Sequence, residues 1–444
     1  MKKRIVAAII SASMIMSLGA CAVSTDTGET ASKEGTEKEE NLEGKEYSGE
    51  SIEVAVRYSG KILDAFNGIV DRFENESGCK VEVTSYGMDD YENSLKTRMA
   101  SNTLPDVFET HGWSILRYKE YLTDLSGESW VSQYDESALG VIQDEDGGIY
   151  VCMPTLMPNG VLVNLEVCED AGVDVYGLNT WEDFSEACKK IKDAGYTPVG
   201  QAPGPGNIAN VAGTWVSYEG ELAEDSEAML DGTYDFESMV PWLEMYAEWL
   251  EKGYLFDDYA TIKNEDATQR FASNKSAFWI GNDAQFFLGC LQLNPEGKYA
   301  IVPSFASKDG GKRFVGIGEG DAFGIWKDTE KADAAKAFLT FLAKPENAAE
   351  LAENTGFVSC MKESMQIDKG IALGYFNEMK EKFAGTDIFY ENLWDRKYMP
   401  SGMWPVFKQS LDVLIADTSE KGVQEAKEIL LENYKDLYEA AQTK

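Results

Sequence analysis

The most constraining feature of this 444-residue chain is an alternation of short apolar strands and amphipathic helices that begins at residue 52. Residues 52–56 alternate apolar and polar side chains as a strand does, and residues 62–73 carry apolar side chains at helical spacing up to a stop at Gly78. A second strand, a second helix and a third strand follow at 79–83, 91–99 and 106–108. Strand, helix, strand, helix, strand predicts a parallel sheet covered by helices.

A second unit of the same kind is predicted from residue 161 onward. Thr180, followed by Glu182 and Asp183, is typical of a helix start, and this helix should end at Gly195. Further strands are expected at 276–280 and 299–302, and further helices at 240–250, 334–342 and, as a pair, 404–438. About 390 residues are too many for one core, so the predicted class is α/β with two domains.

The N-terminus has the form of an export signal. Three basic residues at positions 2–4 precede an apolar run at 5–18, which is too short to span a bilayer, and small residues lead to Cys21. This resembles the lipobox of bacterial lipoproteins. We therefore predict a signal peptide at 1–20 and, at 21–50, a lipidated Cys21 followed by a disordered acidic tether. The alternative is an ordinary secretory signal with a chance cysteine.

Composition excludes several function classes. The signal peptide carries three basic residues and no acidic one, so its removal changes the formal charge from −37 to −40. Such a surface repels phosphate backbones, and nucleic-acid binding is excluded on this ground. The single histidine, His111, argues against zinc sites and histidine-dependent triads, and no cofactor is expected. Six cysteines beyond Cys21 lack any CxxC spacing and are predicted to be buried apolar fillers.

Several segments, in order, resemble the extracellular solute-binding proteins of ABC importers, in the family that includes maltose-binding protein. The supporting segments are residues 73–83, 104–108, 148–154, 163–173, 180–184, 271–279 and 334–345. The resemblance implies a type II periplasmic-binding-protein-like fold with two lobes, parallel-rich sheets flanked by helices, and a ligand cleft between the lobes. It also implies crossings near residues 153–159, Val302 and Asn354. The expected N-terminal lobe is then 51–153 plus 303–350, and the expected C-terminal lobe is 154–302 plus 351–444.

Candidate ligand-binding residues are expected at the ends of strands, where open parallel sheets bind ligands. Sugars need aromatic planes under their rings and polar partners for their hydroxyl groups. The candidates that meet these conditions are Arg57, Tyr58, Trp113, Thr155, Asn159, Trp215, Trp279, Asn282, Asp283, Glu319, Asp321, Trp394 and Trp404. Each tryptophan could instead pack in a core, as Trp181, Trp242 and Trp249 are expected to, and each charged residue could be an ordinary surface charge. The glycine-rich segment 316–321 is expected to let the backbone approach a ligand closely.

The function expected from this resemblance is a lipid-anchored, extracytoplasmic receptor that delivers a carbohydrate to the permease subunits of an ABC importer. The receptor should be a monomer, should touch the membrane only through its lipid, and should perform no chemistry. A receptor for a peptide or another small solute is the main alternative. A secreted glycoside hydrolase, which would need two carboxylates facing each other across a sugar, is the alternative from another class.

Overall fold

The computed structural model describes residues 45–110, 118–134, 136–144, 146–216 and 221–442. The predicted signal peptide, Cys21 and most of the predicted tether lie outside these ranges, as do His111 and Trp113. Residues 42–444 form one unit. Within its described part, two sheets are flanked by helices and share one continuous apolar core.

The first sheet arises from the strand–helix alternation that the sequence predicts. Strands β1 (Ser51–Val56), β2 (Lys80–Ser85) and β3 (Val107–Thr110) pair in parallel in the order β2-β1-β3. Helix α1 (Gly60–Ser77) buries its apolar stripe and ends at Gly78, whose φ of +82° is a left-handed conformation that glycine adopts without strain. Two later strands, β4 (Val151–Cys152) and β10 (Ala322–Ile325), complete the sheet, with β10 antiparallel to β3 and β4.

The second sheet is organised around one long strand, β5 (Thr155–Asn164). Its remaining strands are β6 (Thr197–Val199), β7 (Ser276–Asp283), β8 (Tyr299–Val302), β9 (Arg313–Glu319), β11 (Val358–Ser359) and β12 (Ile388–Glu391). The path is β12-β9-β5-β7-β6, and β8 and β11 also pair with β5. All the described pairings of β5 are antiparallel, so the expected predominance of parallel pairs holds for β2-β1-β3 but not for this sheet. Strands β7, β8, β9 and β11 all come later in the chain, and each runs beside β5 in the opposite direction.

Helices cover both sheets. Besides α1, the described helices are α2 (Gly87–Ala100), α3 (Glu136–Ile142), α4 (Leu165–Asp170), α5 (Trp181–Asp193), α6 (Pro205–Val216), α7 (Glu221–Asp231), α8 (Val240–Glu251), α9 (Asn264–Ala272), α10 (Phe286–Leu293), α11 (Ala332–Leu342), α12 (Pro345–Thr355), α13 (Ser364–Ile367), α14 (Ile371–Lys382), α15 (Trp394–Lys397), α16 (Met403–Ala416) and α17 (Glu420–Gln442). The predicted start of α5 is confirmed, because Thr180 and Asp183 form a reciprocal capping box.

The buried side chains agree with the sequence analysis at the cysteines and at the helical tryptophans. Cys79, Cys152, Cys168, Cys188, Cys290 and Cys360 are all buried and free, as expected of apolar fillers. Trp181, Trp242 and Trp249 are buried in the core. Within the described ranges, no helix combines the length and apolar character that crossing a bilayer requires.

Within the described residues, the chain changes from one sheet region to the other at three places. Residues 153–154 join β4 to β5, residues 320–321 join β9 to β10, and residues 356–357 join α12 to β11. The middle change lies well beyond Val302, because β9 pairs with β5 and β12 of the second sheet. Residues 313–319 therefore belong to the second sheet, although the expected boundary put them with the first. The lobe assignment of the other residues stays a prediction.

Candidate functional site

A cavity of about 730 Å³ lies where the carboxyl ends of β1 and β9 face the start of α16. This volume is typical of small-molecule sites, which generally span about 300–1,000 Å³. Its lining residues come from segments far apart in sequence. They are Arg57, Tyr58, Ser59, Ile62, Glu92, Lys96, Met157, Gln285, Glu319, Asp321, Thr355, Phe357, Arg396, Met399, Pro400, Ser401, Gly402, Met403 and Trp404.

One side of the cavity, here called the polar wall, consists of Arg57, Tyr58, Glu319 and Asp321. Arg57 follows β1, and its Nε donates a hydrogen bond to Glu109 Oε1 on β3 at 2.7 Å. The Arg57 backbone N–H donates to the other oxygen of Glu109 at 2.9 Å, and its guanidinium also donates to the Gly320 carbonyl at 3.1 Å. Arg57 thus ties two strand ends of the first sheet to the connection between β9 and β10.

Asp321 lies fully buried on that connection, with both of its carboxylate oxygens engaged. The Tyr58 hydroxyl donates to Oδ1, and the Thr155 hydroxyl donates to Oδ2 at 2.6 Å. The Asp321 backbone N–H donates in turn to Thr155 Oγ1 at 2.8 Å. The carboxylate therefore joins the end of β1, the start of β5 and the β9–β10 connection.

The electrostatics of the polar wall make Asp321 easier to protonate than an ordinary aspartate. Burial, and after it the negative charge of Glu109, raises the pKa of Asp321 to about 6. Burial alone would lower the pKa of Arg57, but Glu109, Asp321 and Glu319 outweigh it and raise that pKa above its usual range. Burial and the neighbouring Asp321 raise the pKa of Tyr58 well above 10, so its hydroxyl stays a donor at neutral pH.

The glycine in the β9–β10 connection serves packing within the protein. A side-chain carbon at Gly320 would lie 2.3 Å from Thr155 Oγ1 and 2.9 Å from the Phe357 ring. Only glycine lets the connection approach this closely. The expectation that residues 316–321 make room for a ligand is therefore replaced, at Gly320, by close packing against Thr155 and Phe357.

The apolar part of the lining, here called the apolar wall, consists of Met157, Phe357, Met399, Met403 and Trp404. Trp404 lies in the first turn of α16 and keeps 38% of its surface exposed, which is unusual for so large an apolar side chain. A half-exposed indole on a cavity wall can offer a flat apolar face to a ring. Methionine side chains are flexible and adapt to different shapes.

Arg396 connects the apolar wall to helix α6. Its guanidinium lies 5.0 Å from the centre of the Trp404 ring, and its Nη2 donates to Asn210 Oδ1 at 2.9 Å. Its Nε is buried, and the described residues offer this atom no hydrogen-bond acceptor. Arg396 therefore lies against the indole of Trp404 while it is anchored to Asn210.

Five of the predicted site residues line the cavity: Arg57, Tyr58, Glu319, Asp321 and Trp404. Four others lie outside the lining on β5 or β7. Thr155 contacts Asp321, whereas Asn159 pairs with Asp283, and Asn282 pairs with Gly160. Thr155 begins β5 and Asn159 lies within it, so neither residue directly follows the end of a strand.

Two of the remaining tryptophan candidates, Trp279 and Trp394, lie in the core and not in the cavity lining. Trp279 is buried on β7 with its ring centre 4.4 Å from that of Phe286, and Trp394 is fully buried and donates to the Ala212 carbonyl at 3.3 Å. Both are placed by core packing and lie outside the cavity lining. Trp215 lies in α6, and Trp113 lies outside the described residues.

Sequence reasoning missed the lining residues of α2 and of the segment between α15 and α16. Glu92 and Lys96 stand four residues apart on α2, a spacing that places both on one helix face. The Pro400-Ser401-Gly402 run is a recognisable turn signal next to Trp404. Arg396, Met399 and Met403 carry no such signal. Among the residues within the described ranges, no cluster of three or more His, Cys, Asp or Glu side chains could hold a metal ion.

Comparison with known proteins identifies the class to which this fold and cavity belong. A family model described as bacterial extracellular solute-binding protein matches residues 59–349, which is more than half of the chain. The chain therefore belongs to the bacterial extracellular solute-binding protein family.

Individual relatives cover most of the chain. It is 27% identical over 399 residues to the melibiose/raffinose/stachyose-binding protein MelE of Bacillus subtilis, covering 86% of this chain and 88% of MelE. It is 24% identical over 328 residues to the sn-glycerol-3-phosphate-binding protein UgpB of Escherichia coli, covering 70% of this chain and 68% of UgpB. It also resembles a solved sugar transporter from Bacillus licheniformis in complex with stachyose, with a TM-score of 0.72, 25% identity, and coverage of 87% and 100%.

Proposed function

We propose that this protein captures a neutral oligosaccharide in the cavity between its polar and apolar walls and delivers it to an ABC importer. The observation that carries the proposal is that a half-exposed indole, Trp404, and a hydrogen-bonding wall line the same cavity of about 730 Å³. An apolar face and a polar rim are the two surfaces that a sugar ring presents. The resemblance to MelE and to the stachyose complex makes the melibiose, raffinose and stachyose series the first candidates.

The charges of the cavity favour a neutral ligand over an anion such as sn-glycerol 3-phosphate. Arg57 is already paired with Glu109. The lining also holds two further cations, Lys96 and Arg396, and three carboxylates, Glu92, Glu319 and Asp321. A phosphate would therefore meet more carboxylates than uncommitted cations.

A binding panel on the mature protein tests this proposal. Isothermal titration calorimetry should detect binding of stachyose, raffinose or melibiose, and no binding of sn-glycerol 3-phosphate or of a tripeptide. If none of the three sugars binds but one of the control ligands does, the protein is instead a receptor for sn-glycerol 3-phosphate or for peptides, according to which control binds.

We also propose that the protein performs no chemistry on its ligand. Both oxygens of Asp321 are occupied by hydroxyl donors of the protein itself, which does not suit a nucleophile or a general acid. Incubation of the protein with stachyose should release no reducing ends over hours. Release that disappears in Glu319→Gln would instead indicate a hydrolase.

The attachment to the membrane is proposed from the sequence alone. Cys21 would carry the lipid, and the tether would keep a monomeric receptor within reach of its permease on the extracytoplasmic face. Labelling of cells with a fatty-acid analogue should mark the protein, and Cys21→Ser should abolish the label while leaving sugar affinity unchanged. Equal labelling of the Cys21→Ser variant would contradict the anchor.

A further inference from the structure

One buried carboxylate controls how the Tyr58 ring is held in the polar wall. The Tyr58 hydroxyl donates to Asp321 Oδ1, and the Tyr58 ring lines the cavity. The ring packs against Phe66 of α1 with 5.3 Å between ring centres. The hydrogen bond to Asp321 holds the hydroxyl end of the same side chain. Tyr58 is 6% exposed, which leaves the ring few alternative orientations as long as that contact exists.

The same carboxylate is also committed to Thr155. Thr155 Oγ1 accepts from the Asp321 backbone N–H and donates to Oδ2 at 2.6 Å. Thr155 is fully buried at the start of β5, so its hydroxyl cannot turn to solvent, and leaving Oδ2 would cost a hydrogen bond. A charged carboxylate accepts from both hydroxyls, whereas a protonated one carries a donor on one oxygen. Protonation therefore sets Tyr58 and Thr155 in competition for one good acceptor.

The groups that face Asp321 come from each packed segment. Arg57 and Tyr58 follow β1, Glu109 lies on β3, and Glu319 ends β9, whereas β5 contributes the uncharged Thr155. Three acidic groups, Glu109, Glu319 and Asp321, thus surround the Arg57 guanidinium, and the charge of Glu109 raises the free-energy cost of a negative charge on Asp321. Burial, followed by Glu109, accounts for a pKa of about 6.

We propose that Asp321 is a positioning residue that fixes Tyr58 in the wall of the ligand cavity when it is charged and releases Tyr58 when it is protonated. The inference rests on the proposed function for its consequence, which is that sugar affinity falls as the pH falls through the titration of Asp321. The positioning itself is a property of the protein without ligand. It can therefore be tested whether or not a sugar binds.

The ligand-free test monitors Tyr58 by NMR. Protein labelled with ¹³C at the tyrosine Cζ position is titrated from pH 5 to pH 8, and Tyr58→Phe assigns the resonance. The Tyr58 signal should move with a midpoint near pH 6 in the wild type and should not titrate in Asp321→Asn. A Tyr58 signal that is constant over this range in the wild type, or that titrates equally in Asp321→Asn, would overturn the proposal.

The binding test uses stachyose as the probe. Asn has nearly the shape of Asp and, like the protonated acid, carries a donor at one position, so Asp321→Asn should mimic the low-pH state. We expect about tenfold weaker binding than the wild type at pH 7.5, and a difference of about twofold or less at pH 5. If the ratio of the wild-type affinity to the Asp321→Asn affinity stays constant between pH 5 and pH 7.5, Asp321 has a merely structural role and the inference is refuted.

Asp106→Asn is the matched control. Asp106 is a buried carboxylate immediately before β3, at the end of the first sheet opposite to Asp321, and it accepts from the Glu53 backbone N–H at 2.8 Å and from Thr329. The Asp106→Asn substitution should lower the melting temperature but leave the pH dependence of stachyose affinity as in the wild type. If the wild type binds no sugar, the proposed function fails, while the Tyr58 titration still decides the positioning role of Asp321.

Discussion

The two walls of the cavity are held in place by different kinds of interaction. In the polar wall, Arg57, Tyr58 and Asp321 are each fixed by hydrogen bonds to buried partners. In the apolar wall, Met157, Met399 and Met403 have no strong directional bonds and are held by packing. A fixed wall sets which hydroxyl pattern is accepted, whereas an adaptable wall tolerates variation in the rings that lie on it. On this basis, we expect selectivity to reside in the polar wall and breadth in the apolar wall.

The largest expected effect comes from removing the cation of the polar wall. Arg57→Met leaves Glu109, which is 1% exposed, without its partner and close to two other carboxylates. Breaking a buried ion pair in this way typically costs about 3–5 kcal/mol of unfolding free energy. Denaturant unfolding at pH 7 should show such a loss, together with loss of stachyose binding.

Arg98→Met is the control for that experiment. Arg98 pairs with Glu53 at 2.6 Å, but the two side chains are 21% and 31% exposed, so solvent screens the pair. The expected cost is about 1 kcal/mol. Equal losses in the two variants would mean that the polar wall is no more strongly specified than an ordinary ion pair of the surface.

The next effect concerns Asp283, the buried carboxylate on the side of the apolar wall. Burial, opposed by hydrogen bonds from the backbone and by Arg396, raises its pKa from 3.8 to about 6. A raised folded-state pKa means that the folded protein binds more protons between these values, so this group's contribution to stability is lost as the pH rises. Because Asn can still accept from the Gln285 backbone N–H, Asp283→Asn should gain stability relative to the wild type between pH 4 and pH 7. The gain should be at most about 3 kcal/mol.

Asp258→Asn provides a control of the opposite sign. A hydrogen bond from Arg270 lowers the pKa of Asp258, so the stability that Asp258 contributes is present above pH 3.8 and is lost as the pH falls. The side chain is 46% exposed, and the effect should be small. Unfolding curves from pH 3 to pH 8 compare the two variants. A pH-independent difference between Asp283→Asn and the wild type would show that Asp283 does not titrate in this range.

Substitutions of Trp404 should change the affinity for stachyose much more than the free energy of unfolding. Its ring is 38% exposed, so Trp404→Ala should change the unfolding free energy by only about 1 kcal/mol while weakening stachyose binding about tenfold or more. Trp404→Phe should recover most of the affinity, because a smaller aromatic plane remains. The buried Trp394 supplies the contrast, since Trp394→Phe should lower the melting temperature and change affinity by about twofold at most. Calorimetry and thermal melts decide between these patterns.

The polar wall could be predicted from the sequence to a greater extent than the apolar wall. Arg57 and Tyr58 follow β1 of the first sheet, and Glu319 and Asp321 stand at or just after the end of β9 of the second sheet. The rule that ligands bind at strand ends therefore locates all four residues, although two sheets supply them. The tryptophans could not be sorted in this way. Trp394 and Trp404 both lie near helix starts, but one contacts the core and the other the cavity, and only tertiary packing distinguishes them.

The second sheet likewise depends on tertiary packing that the sequence pattern does not show. Apolar runs mark β5, β7 and β8 as strands, whereas β6, β9, β11 and β12 are not predicted from the sequence, and a run itself does not reveal direction or partner. The assignment of β9 to this sheet depends on its pairing with β5 and β12, which are about 150 residues before it and about 70 residues after it in the chain. Arg396, Met399 and Met403 reach the cavity for the same reason. Their place is set by the packing of α15 and α16, which no local pattern reports.

The smallest expected effect is the sharpest test of the contrast between the walls. Met157→Leu and Met403→Leu conserve volume, and each should change the unfolding free energy by less than about 1 kcal/mol. Affinity for any one sugar should change by about threefold at most, but the ratio of the stachyose and melibiose affinities should change, because a branched side chain adapts less well than methionine to ligands of different length. Calorimetry with both sugars measures this ratio. If either substitution instead abolishes binding of both sugars, the apolar wall is as closely specified as the polar wall, and the division of selectivity and breadth between them is wrong.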